Sequence, residues 1–293
     1  MRLLLIFLAS LATCFAHSYE FKLALLHGNS EVFDYEISVL RLALRNATGK
    51  HSLKIVAVSD MNQARLLKNL TREESDYNVF FSGFSKQRER DLLQVDFPIT
   101  RGLLGYRVFA IREDNLDLFA NITKLAQFKQ QVKVGSGIGW PDTEIFQHHG
   151  FDVIQTQYDG LWEMLKANRI TAFNRGINEA YIEIDQQNQQ GDMARLTEVP
   201  TLIVEPSLLV VYPFDYFFYV SPLYPELHQT IQAGLNKALA NGDFKRNFYN
   251  HPRIKQALAQ LALKSRKVFS LDNPLLSERI QALPEDYWLQ VDE

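Results

Sequence analysis

A chain of 293 residues with 46% hydrophobic residues is long enough to bury a large apolar core, and its single cysteine excludes a disulfide scaffold. Its 31 basic and 34 acidic side chains leave a formal charge of −3. No basic stripe or charge block accompanies that balance, which excludes a nucleic-acid surface.

The chain opens with Arg2, an apolar run and a small-residue end at Ala16. That is the pattern of a secretory signal, too short to be a stable transmembrane span. Cleavage after Ala16 leaves 293 − 16 = 277 residues, takes the charge to −4 by loss of Arg2, and removes Cys14. Leu11-Ala-Thr-Cys14 fits a lipoprotein processing site poorly, because threonine precedes the cysteine. A cysteine-free exported protein of this size points to a bacterial periplasm. No later stretch is long and apolar enough to span a membrane.

Phe21 to Leu26 reads as a strand ending in a His27-Gly-Asn-Ser30 turn, followed by a helix from Phe33 to Asn46. Leu53 to Val58 reads as a strand buried on both faces, Met61 to Leu70 as an amphipathic helix, and Tyr77 to Phe81 as a third strand. This alternation predicts a parallel α/β sheet, with Ser82 to Arg88 looping out at a strand's carboxyl end, where such sheets bind ligands. Gly105 to Ile111 then reads as a long strand leaving the first unit.

A second α/β set begins after a short helix near Thr123 to Phe128. Its centre is Val132-Lys-Val-Gly-Ser-Gly-Ile-Gly-Trp-Pro-Asp-Thr-Glu144: a strand end, three alternate glycines, and Pro141 at a first helical position, with the helix running to Gly150. The glycine spacing is not that of a dinucleotide fingerprint. Such a turn either lets a ligand approach the backbone closely or is an ordinary strand-to-helix connection. A strand from Asp152 to Gln155, a helix from Gly160 to Ala167 and a strand from Ile170 to Phe173 follow. Gln186 to Gly191 reads as a polar surface loop. Strands at Leu208 to Tyr212 and Tyr216 to Val220 bring the chain back to a helix from Pro225 to Asn241, stopped by Gly242. The tail is helical from Pro252 to about Arg266 and irregular around Asn273-Pro274.

Several segments resemble the type 2 periplasmic solute-binding proteins, particularly those that bind amino acids. They are Ser85-Lys-Gln-Arg88 with Val95-Asp-Phe-Pro-Ile99, Leu161 to Phe173, and Leu235 to Phe244, and the resemblance covers about residues 20 to 250. The chain is also similar to a divergent branch of bacterial periplasmic proteins, through Gly102 to Arg107, Trp140 to Glu144 and Arg175 to Glu179. The resemblance implies a two-lobed α/β fold of the type 2 periplasmic-binding-protein kind, with two crossover strands as its hinge. Residues 1–16 would be the signal peptide, 17–105 the first part of lobe I, and 106–219 lobe II. Residues 220–293 would complete lobe I and carry a helical tail.

By the same resemblance, the protein is a periplasmic monomer that captures a small polar, carboxylate-bearing ligand. It needs no cofactor, performs no catalysis, and hands its ligand to a membrane transporter of the ABC type or to a sensor protein. The departures bear on the ligand. His27 to Ser30 replaces the family's aromatic-Pro-Phe segment, Gly83 stands where a serine often touches the ligand, and an expected aspartate is replaced near Asn174-Arg175. An ordinary α-amino acid is therefore not implied.

The ligand-binding residues expected on these grounds are Ser82, Ser85, Arg88, Gly139, Trp140, Asp142, Thr143, Arg175 and Glu179. Arg88 matches the arginine whose planar fork holds a carboxylate, against the alternative of a surface arginine paired with Asp91. Arg175 and Glu179 are four apart, either a structural ion pair or an arginine held ready for the cleft. Trp140 stacks on a ligand or covers core. Asp142 and Glu144 lie in a helix's first turn and favour its dipole, and Asp142 alternatively faces a ligand ammonium. The aromatic run Tyr212 to Tyr219 is core or cage. His148 and His149 cannot share a helix face, and no zinc or nucleophile motif occurs. Two rival readings remain: an enzyme on this fold with Glu179 or Asp142 as acid/base, and a degenerate lobe pair that binds a protein partner. If the leader is cleaved as expected, N-terminal sequencing of the exported protein begins at His17; a lipidated Cys14 terminus would refute it.

Overall fold

The computed structural model describes residues 17–26, 29–59, 61–193, 200–261 and 263–290, without the side chains of 191–193. The expected leader with Cys14, and His27 and Gly28, lie outside the described residues.

Apolar strands alternate with helices that each bury one face. The first run comprises β1 (Glu20–Leu26), α1 (Asp34–Asn46), β2 (Ser52–Val58), α2 (Gln63–Asn69), β3 (Val79–Gly83), α3 (Lys86–Asp91) and β4 (Leu93–Gln94). A second contains β5 (Tyr106–Arg112), α4 (Leu116–Ala120), α5 (Leu125–Gln131), β6 (Lys133–Gly137), α6 (Pro141–His148), β7 (Asp152–Thr156) and α7 (Tyr158–Lys166). It continues through β8 (Ala172–Gly176), α8 (Ile177–Met193), β9 (Leu202–Val204) and β10 (Leu208–Val211). The chain ends with β11 (Tyr216–Val220), α9 (Pro225–Ala240), α10 (Asp243–Asn250), α11 (Pro252–Gln260), β12 (Lys267–Ser270) and α12 (Glu278–Gln281).

Two sheets result. The first has the order β2-β1-β3-β11-β4, and the second β12-β10-β5-β8-β6-β7 with β9 alongside β5. β1 and β2 are parallel over seven residues, whereas β11 runs antiparallel to β3 from Tyr216 opposite Gly83 to Val220 opposite Val79. The periodicity of α1 buries Tyr35, Val39, Leu40 and Ala43. They meet Leu227, Ile231 and Leu235 of α9 in one apolar cluster. Gly234 is what allows that approach: a Cβ there would stand 2.0 Å from the Ala43 carbonyl oxygen.

Three expectations are corrected. β2 is an edge strand with alternate exposed and half-buried residues, not one buried on both faces, because no strand lies outside it. Residues 186–191 are not a loop but continue α8, glutamine being a good helix former when nothing breaks the run. The lobe bounds also differ. β11 lies wholly in the first sheet, so the chain returns at residues 212–215, ahead of that strand. The segment after 220 does not stay with the first sheet either, because β12 pairs in parallel with β10 of the second.

The chain therefore passes between the sheets four times: at Leu103–Gly105, at residues 212–215, between α11 and β12, and after β12. Asp215 joins the first two passages. Its carboxylate accepts from the Thr100 amide (3.0 Å) and hydroxyl (2.7 Å), from the Tyr216 amide (2.6 Å), and from the Gly102 amide. Burial lifts this carboxyl to about 7 against the pull of those donors. The last passage runs beside the second, with Leu271 N–H donating to the Val211 carbonyl and the Asn273 amide to the Pro213 carbonyl, both at 2.8 Å. Beyond it, Arg279 reaches Asp96 (2.9 Å) and the Gln94 carbonyl (3.0 Å) on the first sheet's side. Arg101, with φ of 56°, donates to the carbonyls of Asp286 and Trp288 at 3.1 Å each and so pins the tail.

Gly234→Ala should force α1 and α9 apart and cost about 1–3 kcal/mol, read as a lower urea midpoint at unchanged slope. An unshifted midpoint would mean the helices do not touch there in solution.

Candidate functional site

Between the sheets lies a cavity of about 80 Å³, whose two walls differ in chemistry. The side that carries the first sheet contributes Phe33, Met61, Phe80, Phe81 and Tyr216, together with Phe214 from the second passage. The opposite side contributes Arg107, Asp142, Arg175, Glu179 and Glu183, beside Trp140 and Tyr158. Among the described residues every charged lining residue belongs to that second wall.

Arg107 comes from β5, and an arginine inside an otherwise apolar strand must be paired to be buried. Its Nε donates to Asn174 Oδ1 (3.0 Å), Nη1 to the Leu104 carbonyl (3.0 Å), and Nη2 lies 3.1 Å from Asp142 Oδ1. Burial opposes its charge most strongly, but Asp142, Tyr212 and Glu179 together outweigh burial and raise its pKa. The same Asp142 oxygen accepts from the Tyr212 hydroxyl, whose pKa is pushed well up by burial first and then by that carboxylate. Sequence reasoning missed Arg107, although the Gly102 to Arg107 motif contained it.

Arg175 ends β8, and its guanidinium faces two glutamates one and two turns into α8. Nε and Nη2 bond Glu183 bidentately at 2.5 and 2.7 Å, and Nη2 is 3.0 Å from Glu179 Oε2. The cation also lies over the rings of Trp140 (5.0 Å), Phe173 (5.3 Å) and Tyr158 (5.7 Å). Burial works against its charge, and Glu179 and Glu183 override burial to hold its pKa well above the usual value. Burial pushes the Glu183 carboxyl up while Arg175 pulls it back. Both Glu183 oxygens accept, from Arg175 and from the Tyr158 hydroxyl (2.9 Å), which is the geometry of a carboxylate. Glu179 accepts from the Gly176 amide (3.1 Å) and, across the cavity, from the hydroxyl of Tyr216. Both members of the expected Arg175–Glu179 pair therefore line the cavity.

Arg88 is placed differently. Its Nη1 donates to Ser82 Oγ (2.7 Å) and the Gly83 carbonyl, and its Nη2 to Gln63 Oε1 (2.7 Å) and the Gly139 carbonyl (2.9 Å). Burial lowers its pKa. The guanidinium does not line the cavity; it faces an outer groove of about 620 Å³ that also contains Lys68, Asp91 and Glu144. In this arrangement the fork expected to anchor a carboxylate is bonded to the protein's own hydroxyl and carbonyl groups and ties the two sheets together. Ser85 caps α3 by accepting from the Arg88 amide (3.3 Å), and Ser82 is the Arg88 partner; neither lines the cavity.

The glycine turn serves packing. A Cβ at Gly137 would stand 2.2 Å from the Trp140 ring, and Gly139, with φ of 77°, would meet Ala64 across the sheets at 3.0 Å. Thr143 donates to Ser136 Oγ (2.8 Å) and the Gly137 carbonyl (3.1 Å), closing the turn from behind. The aromatic run divides: Phe214 and Tyr216 line the cavity, while Phe217, Phe218 and Tyr219 are core. Among the described residues no group of three His, Cys, Asp or Glu is placed to hold a metal, and no helix is long and apolar enough to cross a membrane.

No protein-family model matches the sequence, and no curated protein sequence matches it significantly. Solved structures do match in shape. The chain is similar to an arginine 3rd transport system periplasmic binding protein from Legionella pneumophila, at 11% identity over 80% of this chain and 99% of that one, with a TM-score of 0.56. It is similar to an amino acid ABC transporter substrate-binding protein from Streptococcus pneumoniae bound to L-arginine, at 12% identity over 82% and 94%, TM-score 0.53. It is also similar to an ancestral amino acid-binding protein, AncCDT-1, described as a precursor of cyclohexadienyl dehydratase, at 11% identity over 78% and 93%, TM-score 0.52. The chain thus has the two-lobed α/β fold of periplasmic binding proteins.

Arg88→Ala should remove one tie between the lobes and raise the radius of gyration of the unliganded protein in small-angle scattering. Each kcal/mol lost lowers the melting midpoint by about 2–4 °C in chains of this size. An unchanged scattering profile would leave closure to the remaining inter-lobe contacts, Glu179 with Tyr216 and Gln186 with Asn29 and Glu31.

Proposed function

We propose that this chain is a solute-binding protein of the periplasm, which encloses a small polar ligand between its two lobes and delivers it to a membrane transporter. The observation that carries the reading is the closed cavity, whose apolar wall comes from one lobe and whose charged wall comes from the other. Such a site is complete only when the lobes meet, so a ligand that bridges the walls favours closure. The ties from Arg88 to Gly139, from Glu179 to Tyr216 and from Gln186 to Asn29 and Glu31 are among the contacts that would break on opening.

Binding without chemistry is the better reading of the same residues. A general acid needs a proton to give, and Glu179, Glu183 and Asp142 each accept from an arginine or a tyrosine. The match to an amino acid-binding ancestor described as a dehydratase precursor does not alter that, because no carboxyl of the cavity wall is placed as a donor. A carboxylate on the ligand would reach Arg88 only if that side chain gave up the Gly139 carbonyl.

A thermal-shift screen of the purified protein against amino acids, organic acids and amines tests the reading. A ligand at a hundred times its dissociation constant adds about 2.7 kcal/mol of stability. Absence of any shift across all three classes would favour a lobe pair that binds a protein partner instead.

A further inference from the structure

We propose, resting on the solute-binding reading, that the cavity takes a compact primary amine with an apolar body, alkyl or phenyl, and discriminates against carboxylates. The argument is one of charge and of which wall carries it. Among the described residues the lining holds two guanidiniums, Arg107 and Arg175, and three carboxylates, Asp142, Glu179 and Glu183, a formal sum of 2 − 3 = −1. An ammonium brings that sum to zero. A carboxylate brings it to −2 among charged side chains that are all buried, where an unmatched charge is expensive.

The hydrogen bonds agree with the charge count. Asp142 Oδ1 is doubly used, by Arg107 and Tyr212, while Oδ2 carries no hydrogen bond among the described residues. An acceptor is therefore open. Arg175 Nη1 likewise carries none among them, but an anion placed there would stand beside Glu179 and Glu183, which already neutralise that guanidinium. The usual remedy, a cation on the facing wall, is missing: Arg88 is turned to the outer groove and bonded to Ser82, Gly83, Gln63 and Gly139. Among the described residues the facing wall carries no charge: it offers Phe33, Phe81, Met61 and Phe214 as surfaces for an apolar body, with the neutral amides of Asn29, Asn62 and Gln63 beside them. The volume of about 80 Å³ in the closed form asks that this body be short.

Isothermal titration of the unmodified protein with butylamine, phenethylamine, butyrate, 3-phenylpropionate and phenylalanine separates the classes. The amines are expected to bind, the two carboxylates to give no heat, and phenylalanine to bind at least about tenfold more weakly than phenethylamine, a difference of about 1.4 kcal/mol. In Asp142→Asn, with its circular dichroism unchanged, amine affinity should fall by about tenfold or more. The class comparison on the unmodified protein stands even if that variant does not fold. A carboxylate that binds as tightly as its matching amine, phenylalanine binding more tightly than phenethylamine, or silence from both amines overturns the assignment. In the first two cases the solute-binding reading survives. If the wider thermal-shift screen is silent as well, both fall.

Discussion

The interaction on which the site depends is the burial of Arg175 against Glu179 and Glu183. A guanidinium taken out of water must have its charge answered on the spot, and a single carboxylate leaves part of its fork bare. Two glutamates four residues apart on α8 supply the answer, and so fix where that helix begins relative to the end of β8. Glu179 then reaches Tyr216 of the other lobe, Glu183 holds Tyr158, and the guanidinium face fixes Trp140. The rings around the cavity are thus placed by a charge pairing, with dispersion filling in behind it.

The second cluster repeats the principle with a different outcome. Arg107, Asp142, Asn174 and Tyr212 close on one another within one lobe and cross no gap. Arg88 does the reverse, spending its donors on carbonyls and side chains from both lobes. Three buried arginines therefore divide the labour: one builds the charged wall, one braces it, and one spans the lobes.

Much of the architecture was legible in the sequence because period and punctuation are local. The glycine turn, Pro141 as first helical residue, Gly242 as a helix stop and the strand-helix alternation all depend on neighbours within a few positions. The pairing of Arg175 with Glu179 was legible for the same reason, as was Trp140 at the cavity. Arg88 was not, because its partners Gln63 and Gly139 lie 25 and 51 residues away, and no local rule says which acceptor a fork will choose. Arg107 was passed over because an apolar strand drew attention from its one charge. β12 escaped because Lys267–Ser270 is short and mostly exposed, and gains its identity only from β10, some sixty residues earlier.

That late strand has a consequence for how the molecule comes apart and is made. A lobe inserted between two crossings could be excised as one continuous piece. Here the second sheet lacks its β12 edge until residue 270 has joined it, and the segment beyond goes back to lock onto Arg101. Neither lobe is a contiguous stretch of chain. A polypeptide emerging from its amino end can fold the interior of both lobes early, yet neither is finished until residues 267–288 have been made. Dissecting the protein into independently expressed halves is thereby disfavoured by topology, and completion of both lobes waits on one late segment.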